Sequence, residues 1–270
     1  MVEDFLFLRK NVVDVDAAVI GISKSRWIAL TDSEACREKA HNIMRQHHFD
    51  LVPIVTNDDI VSGYYQTETW NNYDSIERKE MDYDDVIPVQ TPLHVVIKSL
   101  AREKRLFYFL TQHNRVTGLL SFVHLNKRQV RIYIYALITE LETRLSCLIR
   151  SKIREEEIER YVQNKDADNR YITDKERGIE SELMEYLYLS DLINIISKNN
   201  LYGVLGYPSR KKYGSSLGSI NTLRNEVAHP TRTLISNITS IEKLWNKIED
   251  IERILFRLRQ YQEKSTIITN

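Results

Sequence analysis

Between residues 20 and 126 the apolar positions change period in the same order twice. In the first run Ala40, Ile43 and Met44 recur at helical spacing, and the capping-box-like Thr31-Asp32-Ser33-Glu34 predicts the start of that helix. A short apolar strand is predicted over 50–55, a turn at Asn57-Asp58-Asp59, and a second strand over 60–65. In the second run Thr91-Pro92 predicts a cap with proline at the first helical position, and Leu93, Val96, Ile97 and Leu100 give the helix its apolar face. Strands over 106–111 and 116–121 follow, joined by a turn at Gln112-His113-Asn114. Gly63 and Gly118 fall at equivalent points, 55 residues apart, and a unit repeated at that period predicts an internal duplication. The stretch from Thr69 to Asp85 is polar, lacks periodicity and predicts an exposed linker.

Beyond Asn126 the period changes to a helical one. Tyr135, Ile138, Leu141, Leu145, Leu148 and Ile149 make one stripe of a long helix over 131–153. Residues 163–178 are charged and predict a loop, and a second helix is expected over 181–198. Residues 203–218 hold four of the eight glycines together with Arg210-Lys211-Lys212, which predicts a basic loop. A third helix leads to Arg224, and a fourth over 238–261 carries Ile241, Leu244, Ile248, Ile251, Leu255 and Leu258. Four such helices predict a bundle. Tyr133, Tyr135, Tyr186, Tyr188 and Trp245 are expected in its core or an interface. The fold class is therefore α+β: mixed α/β modules at about 20–70 and 86–126 within residues 1–127, then an all-α domain over 128–270.

The 270 residues are 42% hydrophobic and 28% charged with formal net charge zero, so no whole-chain electrostatic signature of nucleic-acid binding exists. The charge is divided, with residues 1–125 at net −4 and the remainder at net +4. That asymmetry fits a C-terminal half that touches a polyanion, and equally two halves that attract. Cys36 and Cys147 lie too far apart for a metal knuckle. The adjacent His47 and His48 point apart on a helix, and His41, His94 and His113 are isolated, so no metal site is expected. Glu3 and Asp4 stand where a signal peptide would carry basic residues, and no apolar run reaches membrane length, so a cytoplasmic protein without membrane contact is expected.

The duplicated half resembles a tandem pair of CBS domains over roughly residues 20–126. The likeness rests on Gly118-Leu119-Leu120-Ser121, continued by Leu125-Asn126-Lys127, and on Gly63 in the first module. It implies modules that pair back to back and bind an adenine nucleotide as a regulatory ligand in the cleft between them. Gly63, Gly118, Ser121 and His124 are then the ligand-binding candidates. His124 stands where the family has a ribose-binding aspartate, and Gln66 and Thr69 take the hydroxyl and carboxylate positions of the first module. Without a carboxylate the ribose diol lacks its bidentate acceptor. A pair that only dimerises is the alternative.

The candidate chemistry lies in Leu223-Arg224-Asn225-Glu226-Val227-Ala228-His229-Pro230. A spacing of five puts Arg224 and His229 roughly 140° apart on a continuous helix, so convergence requires the helix to end. Pro230 disfavours helical backbone at His229 and predicts that end. Arginine is a permanent phosphate clamp and histidine a general acid or base near neutral pH. The same residues also suit a helix cap and a surface ion pair. A helical bundle with this motif on its penultimate helix resembles the HEPN superfamily over about residues 130–262, supported by Val227, Ala228 and Pro230 and by the helix Asp191 to Lys198. The resemblance implies a metal-independent endoribonuclease with no catalytic cofactor and a composite active site in a homodimer. Arg224, Asn225 and His229 would be catalytic, and the products would carry 2′,3′-cyclic phosphate and 5′-hydroxyl ends. Thr231 occupies the position of a tyrosine through which some HEPN toxins are inactivated, so that control is not implied. Arg210, Lys211 and Lys212 are candidates to guide the RNA backbone. The alternative function is non-catalytic, a nucleotide-sensing scaffold that binds RNA or protein.

Overall fold

The computed structural model describes residues 15–69, 72–162, 165–229 and 231–268. Glu3, Asp4 and Pro230 lie outside them. Contacts divide the described chain into two compact units: residues 15–130 with 233–243, and residues 131–232 with 244–268. No described helix is long and apolar enough to cross a membrane.

The first unit begins with a one-turn helix, α1 (Ala17–Ile20), capped by the Asp16 carboxylate on the Val19 amide at 3.1 Å. Then come β1 (Ile22–Ser23), β2 (Leu30–Thr31), α2 (Arg37–His47), β3 (Leu51–Val55), β4 (Val61–Thr67) and β5 (Ile76–Glu80). The second module supplies β6 (Val86–Pro88), α3 (Leu93–Glu103), β7 (Phe107–Gln112) and β8 (Arg115–Ser121). The sheet orders are β2-β3-β4-β5 and β1-β8-β7-β6. Both sheets have a parallel edge strand, a helix, an antiparallel hairpin and an antiparallel far edge. The far edge of the second sheet is β1, which precedes every strand of the first sheet in the chain.

The repeat extends to single residues. Gly63 faces Ile54 and Gly118 faces Leu110, and a bulge follows each pair. A Cβ on Gly63 would lie 2.4 Å from the Lys79 carbonyl oxygen, and one on Gly118 would lie 2.5 Å from that of Ile22. Glycine is therefore required by the close approach of the far-edge strand. Gly63→Ala forces two paired backbones apart and should destabilise the unit by about 1–3 kcal/mol, read as a lower urea midpoint at constant slope. The helices end alike, with His48 and Lys104 both left-handed at φ 54°.

Ala40 and Met44 of α2 pack on Val52, Ile54, Tyr65 and Ile76, as the helical spacing predicts, with Ile43 partly buried beside them. Three expectations are corrected. Thr31 to Glu34 is a turn rather than a capping box: the Glu34 amide bonds the Thr31 carbonyl, and the helix starts at Arg37. Pro92 takes the cap position of α3 instead of the first helical one. The supposed linker contains β5, which adds to β4 while burying only Ile76.

The second unit is helical: α4 (Arg128–Arg150), α5 (Glu155–Ile158), α6 (Lys165–Glu176), α7 (Leu189–Lys198), α8 (Arg210–Ala228) and α9 (Ile238–Ile268), of which residues 128–130 and 238–243 belong to the first unit. The four longest expected helices are present as α4, α7, α8 and α9. Side chains link them: Arg144 of α4 donates to Gln262 of α9 at 2.6 Å, Tyr213 of α8 to the Ile193 carbonyl of α7 at 3.1 Å, and Ser216 of α8 to Asp250 of α9 at 2.6 Å. The loop expected over 163–178 instead holds α6, which buries Ala167 and Tyr171. The helix expected over 181–198 is broken, with a short 3-10 turn at Leu183–Tyr186 before α7. Ile134 takes the buried position given to Tyr135, which is exposed.

Candidate functional site

The duplication yields two clefts inside the first unit, related by the repeat. One has a volume of about 310 Å3 and is lined by Arg26, Trp27, Phe49, Ser121, Phe122 and His124 among others. It is bordered by the residues after α2 and the end of β8. The other, of about 620 Å3, lies at the equivalent place after α3 and at the end of β4, with Tyr64, Gln66, Asp85, Glu103, Lys104 and Arg105. Gln66 thus stands for Ser121, and Arg105 for Phe49.

The repeat has diverged most in this lining. In the larger cleft Asp85 is 5% exposed, and its carboxylate takes the Arg105 guanidinium at 2.7 Å, the Tyr64 hydroxyl at 3.1 Å and the Asp82 amide at 3.0 Å. Burial, and then the Asp85 charge, push the Tyr64 phenol above its ordinary range. These groups satisfy one another, and the remaining lining carboxylates, Glu68, Glu80, Asp82 and Glu103, outnumber Lys79 and Lys104 and oppose a phosphate.

In the smaller cleft the one lining carboxylate, Asp50, already accepts the Thr67 hydroxyl at 3.2 Å, and donors stand at the other end. Ser121 precedes a 3-10 turn, Phe122–Asn126, and forms a capping box with His124. The Ser121 amide donates to His124 Nδ1 at 2.9 Å, so the neutral imidazole carries its proton on Nε2. Burial, reinforced by the neighbouring Lys127 charge, lowers His124 to about 4. Lys127 donates to the Gly21 carbonyl at 3.0 Å and is itself lowered, by burial and then by Arg26. Three basic groups thus crowd one another, and two of them, Arg26 and His124, line the cleft. Trp27, set edge-on to Phe109 with centroids 5.9 Å apart, gives it an aromatic wall. Of the four predicted ligand residues, Ser121 and His124 line this cleft; Gly63 and Gly118 sit within the strand pairs.

The motif of the second unit ends α8. The helix stops at Ala228 and His229 is extended (φ −105°, ψ 95°), as its place before a proline dictates. His229 and Asn225 are exposed, and Arg224 is half-buried. The Arg224 Nε lies 4.0 Å from Glu142 of α4. Burial raises the Glu142 carboxyl against the opposing pull of Arg224, so the pair is a loose one. Glu226 faces Lys247 of α9 at 3.5 Å. Among the described residues no hydrogen bond or ion pair joins Arg224 to Asn225 or His229.

Arg210, Lys211 and Lys212 form the first turn of α8 rather than a loop; Ser209 caps it, and Arg210 Nε donates to Ser197 at 2.8 Å. At 1.5 Å per residue they lie about 20 Å along the axis from Arg224, so one chain does not bring them to the motif. No group of three or more described metal-ligating side chains is clustered to hold an ion. Arg26, Trp27, Phe49, Glu142 and Arg131 were not singled out from the sequence. The first three lie outside the matched segments or at helix ends, and the last two are long-range partners with no local signal.

No family model matches the chain, and no curated protein matches it. Solved structures similar to it include the CBS domains of a transcriptional regulator from Streptococcus pneumoniae, at 10% identity over 40% of this chain and 92% of that one (TM-score 0.32). The CBS domain of a bacterial CNNM/CorC family Mg2+ transporter is similar at 14% identity over 48% and 82% (TM-score 0.35). An uncharacterized conserved protein from Pyrococcus horikoshii is similar at 13% identity over 42% and 90% (TM-score 0.33).

Proposed function

We propose that the chain is a regulatory protein whose first unit is a CBS-type pair binding one adenine nucleotide in the smaller cleft. The observation that carries this reading is the divergence of the two clefts. The smaller offers an aromatic wall, the Arg26 guanidinium and an imidazole N–H, whereas the larger is internally paired and acidic. A base can lie on Trp27 while phosphate oxygens take Arg26 and His124 Nε2–H; with an imidazole rather than a carboxylate at 124, and Asp50 already accepting the Thr67 hydroxyl, phosphate rather than the ribose diol is the anchoring group. Calorimetric titration of the full chain with ATP, ADP and AMP tests this. One site per chain is expected, and Arg26→Ala should weaken it about tenfold or more. Absence of heat with all three, with no rise in melting temperature at millimolar nucleotide, would remove the reading.

A second reading concerns the helical unit, for which we propose metal-independent RNA cleavage in a self-associated form. It is favoured by an exposed histidine at the end of a helix whose last turn carries a half-buried, carboxylate-backed arginine. His229 would move a proton at the ribose 2′-hydroxyl or the leaving oxygen, and Arg224 would neutralise charge gathering on the phosphate. The 2′-hydroxyl is an internal nucleophile, so orientation and proton transfer suffice. The test is cleavage of end-labelled RNA in excess EDTA.

A further inference from the structure

Arg131 lies in the first turn of α4 and is 7% exposed. Buried guanidinium groups are ordinarily neutralised by carboxylates, yet among the described residues none pairs with this one. Its partners are backbone carbonyls. Nη1 donates to Glu226 at 2.9 Å and, at longer reach, to His229 at 3.4 Å, while Nη2 donates to Arg232. The reason lies in the sequence. A helical bond to the Glu226 oxygen would have to come from residue 230, a proline, which has no N–H. The Glu226 carbonyl is thus left without its amide donor at the negative end of the helix dipole, and the guanidinium takes it together with the carbonyls of His229, which the Arg232 amide also bonds at 3.1 Å, and Arg232 just beyond the helix.

We propose that Arg131 is a positioning residue for His229. It replaces the helical bond that the proline removes and fixes the backbone from which the imidazole projects. This rests on the reading of Arg224 and His229 as an RNA-cleaving site. Lysine would keep the charge but not the reach, because one nitrogen cannot span carbonyls drawn from residues 226 to 232.

The test uses the full chain as wild type, Arg131→Met and Arg131→Lys, with initial rates of RNA cleavage in EDTA and amide hydrogen exchange over residues 226–235. Arg131→Met should lower kcat by about 10- to 100-fold and change KM less than about twofold, since a displaced catalytic group impairs turnover and not RNA binding. Arg131→Lys should recover part of the rate. Exchange over 226–235 should quicken at least about tenfold while α4 and α9 keep their protection. A wild-type kcat in Arg131→Met, or a loss carried wholly by KM, overturns the proposal. If wild type leaves RNA intact, the RNA reading falls on its own; unchanged exchange in Arg131→Met would then overturn the clamp as well. Should Arg131→Met not fold, the same comparisons on Arg131→Lys decide it.

Discussion

Replacing His229 by alanine is expected to slow RNA cleavage in EDTA by about 10²- to 10⁴-fold, the range that a positioned acid or base contributes. The imidazole stands alone at the end of α8, exposed and extended, so truncation removes the proton carrier and leaves no packing defect. Arg224→Ala should lower the rate to a similar extent and should also weaken RNA binding, because a guanidinium contacts the phosphate in ground state and transition state alike. Asn225→Ala should have the smaller effect, since an exposed amide offers neutral donors only. Product ends separate this chemistry from metal-dependent hydrolysis: a 2′,3′-cyclic phosphate follows only from attack by the neighbouring hydroxyl. Equal cleavage by wild type and His229→Ala would point to another site or a contaminant. Intact RNA with both, with and without nucleotide, would leave the bundle as a binding module.

The features legible in the sequence are those written locally. Gly63 and Gly118 announce the duplication because each is forced by a strand carbonyl that would collide with any Cβ. The end of α8 is legible because proline acts on the residue before it. What was not legible depends on distant partners. β5 buries Ile76 alone and turns charged residues outward, so its sequence has no strand alternation to read. The helix α6 is mostly polar because it rests on little more than Ala167 and Tyr171. Arg210-Lys211-Lys212 reads as a loop because three cations disfavour the positive end of a helix; the Ser209 cap and the Tyr213 anchor outweigh that cost. The smaller cleft was only half visible. Ser121 and His124 belong to the repeat, whereas Arg26 and Trp27 enter through the 22–28 stretch, whose strand β1 closes the second sheet from outside it.

Below neutral pH, His124 should make the first unit less stable, and His124→Gln should remove that dependence. Its folded value is near 4, depressed by burial and then by Lys127, against about 6.5 in the unfolded chain. The sign follows from proton counts. Above pH 6.5 neither state binds the proton and stability is complete. Between 6.5 and 4 the unfolded chain takes the proton and the folded one does not, so stability falls as pH falls; below 4 both are protonated and the loss levels off. One proton over that span is on the order of 3 kcal/mol, with about 2 kcal/mol gone by pH 5. Carboxylates titrate in the lower part of the window, so the quantity to measure is wild type minus His124→Gln in urea unfolding at pH 7.5, 6 and 5. The difference should move against wild type at each step. Since Nδ1 accepts from the Ser121 amide, protonation also removes the acceptor that holds the capping turn at the cleft mouth. An anionic ligand that relieves the crowding of Arg26, Lys127 and His124 should therefore reduce the acid sensitivity in proportion to its binding. A difference that stays flat from pH 7.5 to 5 would mean that His124 keeps its proton exchange with solvent, and the turn would then not be the rigid end of the cleft.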